Sequence, residues 1–327
     1  MKKIILICPY FGQFPNYFSL VLQSMRNNPS IDWLIFTDNN KEYNYPQNVR
    51  VVRMSFSELK DRIKSIFPYE VKVLHPYKLC DYRPFYGEIF HEEIREYDFW
   101  GHCDFDCIFG NLRKFLSDTV LNSYSKIFFL GHLSLYANIK EISCIAKNAM
   151  SNNDVKMALQ IDDSSFQLDE IMMPGQITDA NIEIYNPDDC IADICCTRRA
   201  FHLCKEKLIF DNSSYSMDGE ILSSDGMAFS YSNGELLAYY LENGIVKKHE
   251  YAYVHLQKRA MSVRTDDDDK FIISPNVFSN WREINKDFLQ RANNEPLIYG
   301  QRFRMAWHYR IDPLIKKVRI WFYRKFK

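Results

Sequence analysis

The stretch Tyr97–Gly110 reads YDFWGHCDFDCIFG and joins the pattern of a buried strand to a pair of carboxylates. Its first half is apolar and aromatic, which is typical of a strand inside a sheet. Because successive side chains of an extended backbone point to opposite faces, Asp104 and Asp106 point the same way and can hold one divalent cation between them. Carboxylate ligands of this kind suit Mn²⁺ or Mg²⁺. The alternative is a pair of exposed turn aspartates, since Asp-x-Asp occurs by chance in many chains.

Strands and helices alternate on the amino-terminal side of this stretch. Apolar runs predict strands at residues 3–8, 31–37 and 49–54, and helical spacing predicts helices at 17–25 and 58–66. Either Ser55 or Ser57 is expected to cap the second helix. The alternation predicts an α/β fold with a doubly wound, mostly parallel sheet, which binds ligands at the carboxyl ends of its strands. Those ends are the Pro9–Gly12 loop, Asp38 and Asp104–Asp106.

Two cations and a carboxylate precede the Asp-x-Asp strand. Lys78, Asp81 and Arg83 lie within six residues and lead into a predicted helix at 88–96. A cluster of cations at this point would suit a phosphate ligand. The alternative is the solvated start of a helix with an internal Asp–Arg pair.

The second half of the chain is predicted to be smaller and to contain antiparallel strands. Residues 134–150 are predicted to be helical, and residues 182–253 show short β-like runs separated by turn signals. Between these regions, Asp169 and Glu170 precede an apolar segment, and a carboxylate among apolar neighbours is what a general base needs.

A histidine and two cations end this β-like region. His255 lies on a predicted strand, and Lys258 and Arg259 follow just past its end, where they could reach a phosphate. The alternative is a structural histidine.

The amino-acid composition limits the classes of protein to which this chain can belong. The 327 residues are 46% hydrophobic and 25% charged, as in an ordinary globular protein, and the net charge of −1 offers no case for a nucleic-acid partner. The nine cysteines are scattered and lack paired zinc-site spacing, so reduced cytosolic thiols are expected. No run approaches 18 uninterrupted apolar residues, so no membrane-spanning segment is expected.

The carboxyl-terminal segment 313–327 is basic and amphipathic. It carries six Lys or Arg residues and no acid, and its apolar residues follow helical spacing. Such a helix suits an anionic membrane surface. The alternative is a terminal helix that docks on the core.

The order and spacing of these motifs resemble those of GT-A fold glycosyltransferases. The stretch Tyr97–Gly110 is also similar to a group of bacterial glycosyltransferases of capsule, O-antigen and polysaccharide biosynthesis. The resemblance covers about residues 1–260. It implies a GT-A-like catalytic domain with a nucleotide-sugar-binding half at 1–130 and an acceptor half at 131–260. Residues 261–327 would form a helical extension that ends in the basic tail.

The resemblance also implies roles for individual residues. Pro9, Tyr10, Phe11 and Gly12 would line the nucleoside pocket, Asp38 would bond the base, and Lys78, Asp81 and Arg83 would face the sugar and diphosphate. Asp104, Asp106 and His255 would bind Mn²⁺ or Mg²⁺ at the diphosphate, and Lys258 would hold the leaving phosphate. The segment His255–Lys258 is shorter than the late motif of better-known members and lacks its glycine. Asp169 or Glu170 would be the base of an inverting enzyme, whereas a retaining enzyme needs none.

The expected function is metal-dependent transfer of a sugar from a nucleotide-diphosphate sugar, with UDP favoured, to a saccharide or lipid-linked saccharide acceptor. The expected location is the cytoplasm, with segment 313–327 as the element that would hold the protein at the inner face of the cell membrane. One alternative is a metal-dependent nucleotidyltransferase or phosphohydrolase, for which a glycine-rich phosphate loop near residue 10 would be expected. The other is a non-catalytic carbohydrate-binding protein.

Overall fold

The structure is a computed structural model that describes residues 1–161, 165–195, 198–211, 214–222 and 225–292, together with Leu314 and Val318. The predicted basic helix at 313–327 therefore lies, apart from those two residues, outside the described residues. No helix in the described part of the chain combines the length and the apolar character needed to cross a lipid bilayer.

The described residues contain strands in both halves of the chain. In chain order the strands are β1 (Ile4–Pro9), β2 (Ile31–Thr37), β3 (Val49–Arg53), β4 (Phe99–Cys103), β5 (Cys107–Phe109), β6 (Lys126–Ile127), β7 (Leu133–Ala137), β8 (Ile184–Tyr185), β9 (Ile191–Asp193), β10 (Leu203–Asp211), β11 (Ser214–Leu222), β12 (Met227–Ser232), β13 (Glu235–Glu242), β14 (Ile245–Glu250), β15 (Tyr253–His255), β16 (Ser262–Arg264), β17 (Lys270–Ser274) and β18 (Val277–Asn280).

The helices are short and cluster in the first 180 residues. They are α1 (Phe18–Arg26), α2 (Phe56–Ile66), α3 (Tyr86–Ile89), α4 (His91–Ile94), α5 (Leu112–Phe115), α6 (Asp118–Ser123), α7 (Lys140–Met150), α8 (Asn153–Gln160), α9 (Met173–Asp179) and α10 (Lys286–Ala292). A 3₁₀ segment, Pro76–Phe85, leads into α3, and a π-helical turn, Leu168–Met172, leads into α9.

The central sheet has seven strands in the order β3-β2-β1-β4-β7-β6-β8. The four strands β1 to β4 run parallel, whereas β7 is antiparallel to β4 and β6. Strand β1 is buried on both faces: Ile4 and Leu6 join one core with α1, and Ile5 and Ile7 join a second core with α2. The mixed α/β fold with a mostly parallel sheet is thereby confirmed.

The predicted helix at 134–150 is wrong in its first part. Leu133–Ala137 is a strand paired with β4, and the helix begins at Lys140. All five residues of this strand are buried, and a short apolar run of this kind does not distinguish a strand from a buried helix by its periodicity. Of the apolar run at 126–130, only Lys126–Ile127 forms a strand.

The second half of the chain forms a six-stranded sheet and a separate hairpin, and it supplies two strands of a three-stranded sheet. The six strands lie in the order β14-β13-β12-β17-β18-β16. Strand β17 pairs antiparallel with β12, so residues 262–280 belong to this sheet. The prediction of a helical extension over 261–327 is therefore wrong for these residues. The physical reason is burial, because Phe271, Ile272 and Ile273 of β17 are fully buried in this sheet.

The three-stranded sheet β5-β15-β9 brings distant segments together beside the end of β4. Strand β15 lies in the middle, antiparallel to β5 and parallel to β9. His255 is thereby in register with Cys107 on one side and with Asp193 on the other. This pairing joins residues more than 60 and more than 140 positions apart in the chain.

Helix α2 begins with a capping box, and of the two serines predicted to cap it the structure selects Ser55. The Ser55 hydroxyl accepts a hydrogen bond from the Glu58 N–H at 3.2 Å, and the Glu58 carboxylate accepts one from the Ser55 N–H at 2.7 Å. We expect Ser55→Ala to lower the free energy of unfolding by about 1 kcal/mol, because one N–H loses its partner. Urea denaturation monitored by circular dichroism measures this loss. Ser57→Ala, at an exposed position in the same turn, is the matched control, and an equal loss there would contradict the assignment.

Candidate functional site

A cavity of about 1290 Å³ opens at the carboxyl ends of β1 and β4, where the α/β fold predicts a ligand. It brings together most of the predicted site residues. Those that line it are Pro9, Tyr10, Phe11, Arg83, Asp104, Asp106, Asp169, Glu170, His255 and Lys258. Gly12, Asp38, Lys78 and Asp81 are not part of the lining.

The loop after β1 forms an aromatic wall of the cavity. The ring of Tyr10 stacks on that of Phe105, with 5.1 Å between the ring centroids. Gly12 has a φ of +98°, which side chains disfavour, and its N–H donates to the Asp38 carboxylate at 2.8 Å. Asp38 therefore stabilises the loop through the Gly12 N–H and does not line the cavity.

The two aspartates of the Asp-x-Asp pair meet His255 at the floor of the cavity. Asp106 Oδ1 lies 3.3 Å from His255 Nε2, and one ligand atom from each of Asp104, Asp106 and His255 can be chosen so that all three lie within 4.8 Å of one another. Two carboxylates and one imidazole are a donor set that Mn²⁺ accepts readily, and the carboxylates also suit Mg²⁺. These residues therefore fit a divalent cation.

Asp193 orients the imidazole of His255 and was not predicted from the sequence. His255 Nδ1 lies 2.7 Å from Asp193 Oδ1, and the Gln257 side-chain amide donates to Asp193 Oδ2 at 2.8 Å. A carboxylate that accepts the Nδ1–H leaves Nε2 of the ring for a metal. The only local signal was a single aspartate within the apolar run 191–196.

The charges of this cluster compensate one another. Burial disfavours the charged form of His255, but Asp106 and Asp193 raise the pKa of its imidazole well above the usual range. Burial likewise opposes ionisation of Asp106, but His255 and the Lys258 N–H hold the pKa of that carboxyl well below its usual range. A protonated His255 thus supplies the positive charge that a divalent cation would supply to the same carboxylates.

His132 forms a second, overlapping cluster with Asp193 and His255. Its ring stacks on that of His255 at 4.1 Å between centroids, and its Nδ1 lies 2.8 Å from the Tyr253 hydroxyl. Both oxygens of Asp193 already accept hydrogen bonds, and Asp104 and Asp106 are the less buried carboxylates. The Asp104–Asp106–His255 cluster is therefore the better candidate metal centre.

Arg83 links the carboxylate pair to the two predicted catalytic acids. It donates to Asp104 through Nη2 and to Asp169 Oδ2 and the Gly131 carbonyl through Nη1, both at 3.0 Å. Glu170 accepts a hydrogen bond from the Gly131 N–H at 2.9 Å. A Cβ on Gly131 would lie 2.5 Å from the Asp169 carboxylate, so this close arrangement requires glycine.

The environment of Asp169 is buried and charged. Burial raises the pKa of Asp169 to about 8, although the neighbouring Arg83 opposes the increase. Both Asp169 and Glu170 lie at the cavity as predicted, and both already accept hydrogen bonds within the protein.

The prediction that Lys78 and Asp81 face a sugar diphosphate is wrong. Both side chains are fully buried and form an ion pair at 2.8 Å. Lys78 also donates to the Ala158 carbonyl at 2.7 Å, and Asp81 accepts from the Phe166 N–H at 2.7 Å. The pair ties the 3₁₀ segment to the backbone that leads to Asp169. The internal Asp–Arg pair considered as the alternative is not formed either, because Arg83 bonds Asp104 and Asp169.

Lys258 and Arg259 both lie at the cavity, but the guanidinium of Arg259 is held by backbone carbonyls. The Lys258 N–H donates to Asp106 at 2.6 Å, and its ammonium group lies 4.1 Å from the centre of the Tyr77 ring. Burial opposes the charge of Lys258, but its interaction with Tyr77 raises the pKa of the ammonium group. The guanidinium of Arg259 is buried and donates to the carbonyls of Cys195, Arg198 and Arg199. Arg259 is therefore structural.

Two residues with left-handed backbone place the Lys258 N–H against Asp106. Gln257 has a φ of 47° and Lys258 a φ of 58°, both unusual for residues with a side chain. Consecutive strained residues persist only where their surroundings determine them, and such strain clusters at functional sites.

The fold and the site together define a mixed α/β protein with a carboxylate–histidine cluster in a cavity at the strand ends. In a comparison with protein families, the model described as "Family of unknown function (DUF6625)" matches residues 6–282 of the chain. The chain therefore belongs to this family. A search of curated proteins finds no match to the sequence. Asp104, Asp106, Asp193 and His255 all lie within the matched residues.

Proposed function

We propose that this protein is a metal-dependent glycosyltransferase of cell-surface polysaccharide biosynthesis. It would move a sugar from a nucleotide-diphosphate sugar, with UDP favoured, to a saccharide or lipid-linked saccharide acceptor. The observation that carries the proposal is the convergence of Asp104, Asp106 and His255 in one cavity with Lys258 and the aromatic loop after β1. These groups come from three separate segments, and no single segment could form the cluster.

The chemistry of the cavity suits the departure of a diphosphate. Glycosyl transfer breaks a sugar–phosphate bond, so negative charge grows on the leaving group, and positive charge placed there stabilises the transition state more than the ground state. Asp104, Asp106 and His255 would hold Mn²⁺ or Mg²⁺, which when bound supplies most of that positive charge. Lys258 adds a cation from the protein itself. The guanidinium of Arg83 is already bonded to Asp104 and Asp169, so it keeps Asp104 in place.

The wall of the cavity offers a surface for the nucleoside. Tyr10 and Phe105 form a stacked aromatic pair, and Pro9 and Phe11 extend the apolar lining. A planar base can stack on such a wall, as bases do on exposed aromatic rings. Gly12 is the only glycine of this loop, which is a poor match to the glycine-rich phosphate loop expected for the nucleotidyltransferase alternative.

A thermal-shift screen tests the proposal. We expect one nucleotide or nucleotide sugar among the UDP, GDP, CMP and dTDP series to raise Tm in the presence of Mn²⁺ and not in its absence. A ligand at 100 times its Kd stabilises the folded state by about 2.7 kcal/mol, which is well within the range of the measurement. Mn²⁺ alone and each nucleotide with EDTA are the controls.

The outcome separates the alternatives. Product analysis should then show release of a nucleoside diphosphate from the nucleotide sugar that gives the shift. Release of inorganic diphosphate from a nucleoside triphosphate would instead indicate a nucleotidyltransferase. If neither metal nor any nucleotide changes Tm, a non-catalytic binding protein becomes the better explanation.

A further inference from the structure

The hairpin of β10 and β11 forms a wall of the same cavity, on the side of β9. Its register pairs Cys204 with Ile221, Glu206 with Gly219 and Leu208 with Met217. Since side chains alternate between the faces of a strand, these six residues share one face. Four of them, Cys204, Glu206, Met217 and Ile221, line the cavity. The face of the hairpin that meets the cavity is thus apolar except for one carboxylate.

Gly219 provides the space for that carboxylate. It stands directly opposite Glu206, and a Cβ at Gly219 would lie 3.3 Å from Glu206 Cγ. That distance is tighter than an ordinary contact, so a side chain at Gly219 would crowd Glu206. The glycine leaves the carboxylate at the middle of an apolar face with room to turn toward the cavity.

Glu206 differs from the other acids of the cavity in its partners. Asp169 accepts a hydrogen bond from Arg83, Glu170 from Gly131, and Asp193 from Gln257. Among the residues that the structure describes, Glu206 has no hydrogen bond and no ion pair. Its oxygens are therefore free to accept a hydrogen bond from a bound molecule.

The surroundings of Glu206 bring the pKa of its carboxyl group close to neutral pH. Burial, followed by the negative charges of Asp193 on β9 and Glu170 on the π-helical turn, raises the pKa of Glu206 to about 7, and His255 on β15 opposes the increase. A general base works best when its pKa lies near the working pH. Above about pH 7, most Glu206 side chains would be ionised and ready to take a proton.

We propose that Glu206 accepts the proton of the acceptor hydroxyl in the sugar transfer proposed above, and the assignment rests on that proposed function. In this step the acceptor O–H bond breaks and its proton passes to the Glu206 carboxylate. The acceptor oxygen forms a bond to the anomeric carbon of the donor sugar. The bond from that carbon to the diphosphate breaks, and its electron pair leaves with the nucleoside diphosphate.

The assignment has a stereochemical consequence. A protein base removes the need for the departing phosphate to accept the proton, so the acceptor can attack from the opposite face of the anomeric carbon. The configuration of the transferred sugar is therefore inverted. The hairpin also indicates the chemistry of the acceptor: Met217 and Ile221 suit the C–H face of a sugar ring, and Glu206 suits one of its hydroxyl groups.

The test compares Glu206→Gln in the full chain with Glu220→Gln, which lies exposed on the other face of the same hairpin. We expect Glu206→Gln to lower kcat by about 10² to 10⁴-fold, the usual contribution of general base catalysis. The KM for the donor and the metal-dependent rise in Tm should stay unchanged, which shows that the variant is folded and binds nucleotide. The wild-type rise of kcat with pH through about 7 should be absent in Glu206→Gln. Glu220→Gln should match the wild type in all of these properties.

Glu206→Asp is the second variant, and it should keep the pH dependence at a reduced rate even if the glutamine variant folds poorly. NMR of the product should show the anomer opposite to that of the donor. Unchanged kcat in Glu206→Gln, retention of configuration, or loss of the pH dependence in Asp169→Asn instead would overturn the assignment and leave the transferase proposal in place. A wild-type protein that neither binds a nucleotide nor transfers a sugar would refute both.

Discussion

Replacing Asp106 by asparagine is expected to abolish sugar transfer and the metal-dependent rise in Tm while the protein stays folded. The amide oxygen can still accept the hydrogen bond from the Lys258 N–H, so the segment after β15 keeps its position. The charge that would hold the metal is lost, however, together with the ion pair to His255. A bound metal contributes several kcal/mol to transition-state stabilisation, so we expect kcat/KM to fall by on the order of 10³-fold or more. Activity measured over a Mn²⁺ titration, with circular dichroism as the check of folding, provides the test.

Asp104→Asn should behave in the same way, with a smaller effect on the local structure because Arg83 retains Asp169 and Gly131 as partners. Asp266→Asn is the matched control, since Asp266 lies in the exposed acidic run 266–269 and does not line the cavity. Full transfer activity in both Asp104→Asn and Asp106→Asn would exclude this pair as the metal centre.

Replacing Lys78 by methionine is expected to destabilise the protein by about 3–5 kcal/mol, the usual cost of removing one partner of a buried ion pair. Asp81 would remain fully buried with its charge uncompensated, although it would keep the hydrogen bond from the Phe166 N–H. Urea denaturation with a constant m-value measures the loss. Lys72→Met, at an exposed position six residues earlier, should change the free energy of unfolding by no more than about 0.5 kcal/mol.

This experiment also separates two roles for Lys78. A structural role predicts lower stability with the nucleotide-dependent rise in Tm retained under conditions where the variant is folded. The opposite result, normal stability with loss of nucleotide binding, would mean that Lys78 reaches the ligand, as the resemblance to GT-A glycosyltransferases implies.

Local patterns predicted the centre of the site well. The structure brings Asp104 and Asp106 to the cavity, but they lie in the turn between β4 and β5, so the predicted strand period is not what places them there. The continuous apolar run of β1 correctly predicted a strand buried on both faces. The inference for β1 succeeded because it depends on neighbours in the chain, where the geometry of an extended backbone is nearly invariant.

Local sequence patterns gave a wrong prediction for Lys78 and Asp81, whose side chains are buried. Charged side chains are almost never fully buried unless they are paired, so a cluster of charges close in sequence suggested an exposed binding surface. The pairing that permits burial depends on the Ala158 carbonyl and the Phe166 N–H, about 80 residues away. No spacing within the segment 78–83 carries information about those partners.

The sequence by itself determined the fold class, the burial of β1 on both faces, and the position of Asp104 and Asp106 directly after a buried strand. Only the tertiary structure decided which groups complete the site. Asp193 reaches His255 because β15 pairs with β9, and Glu206 reaches the cavity because β10 and β11 fold back over it. The physical reason is that strand pairing is set by burial across long separations in the chain. The packing of whole sheets therefore determines which side chains surround Asp104 and Asp106.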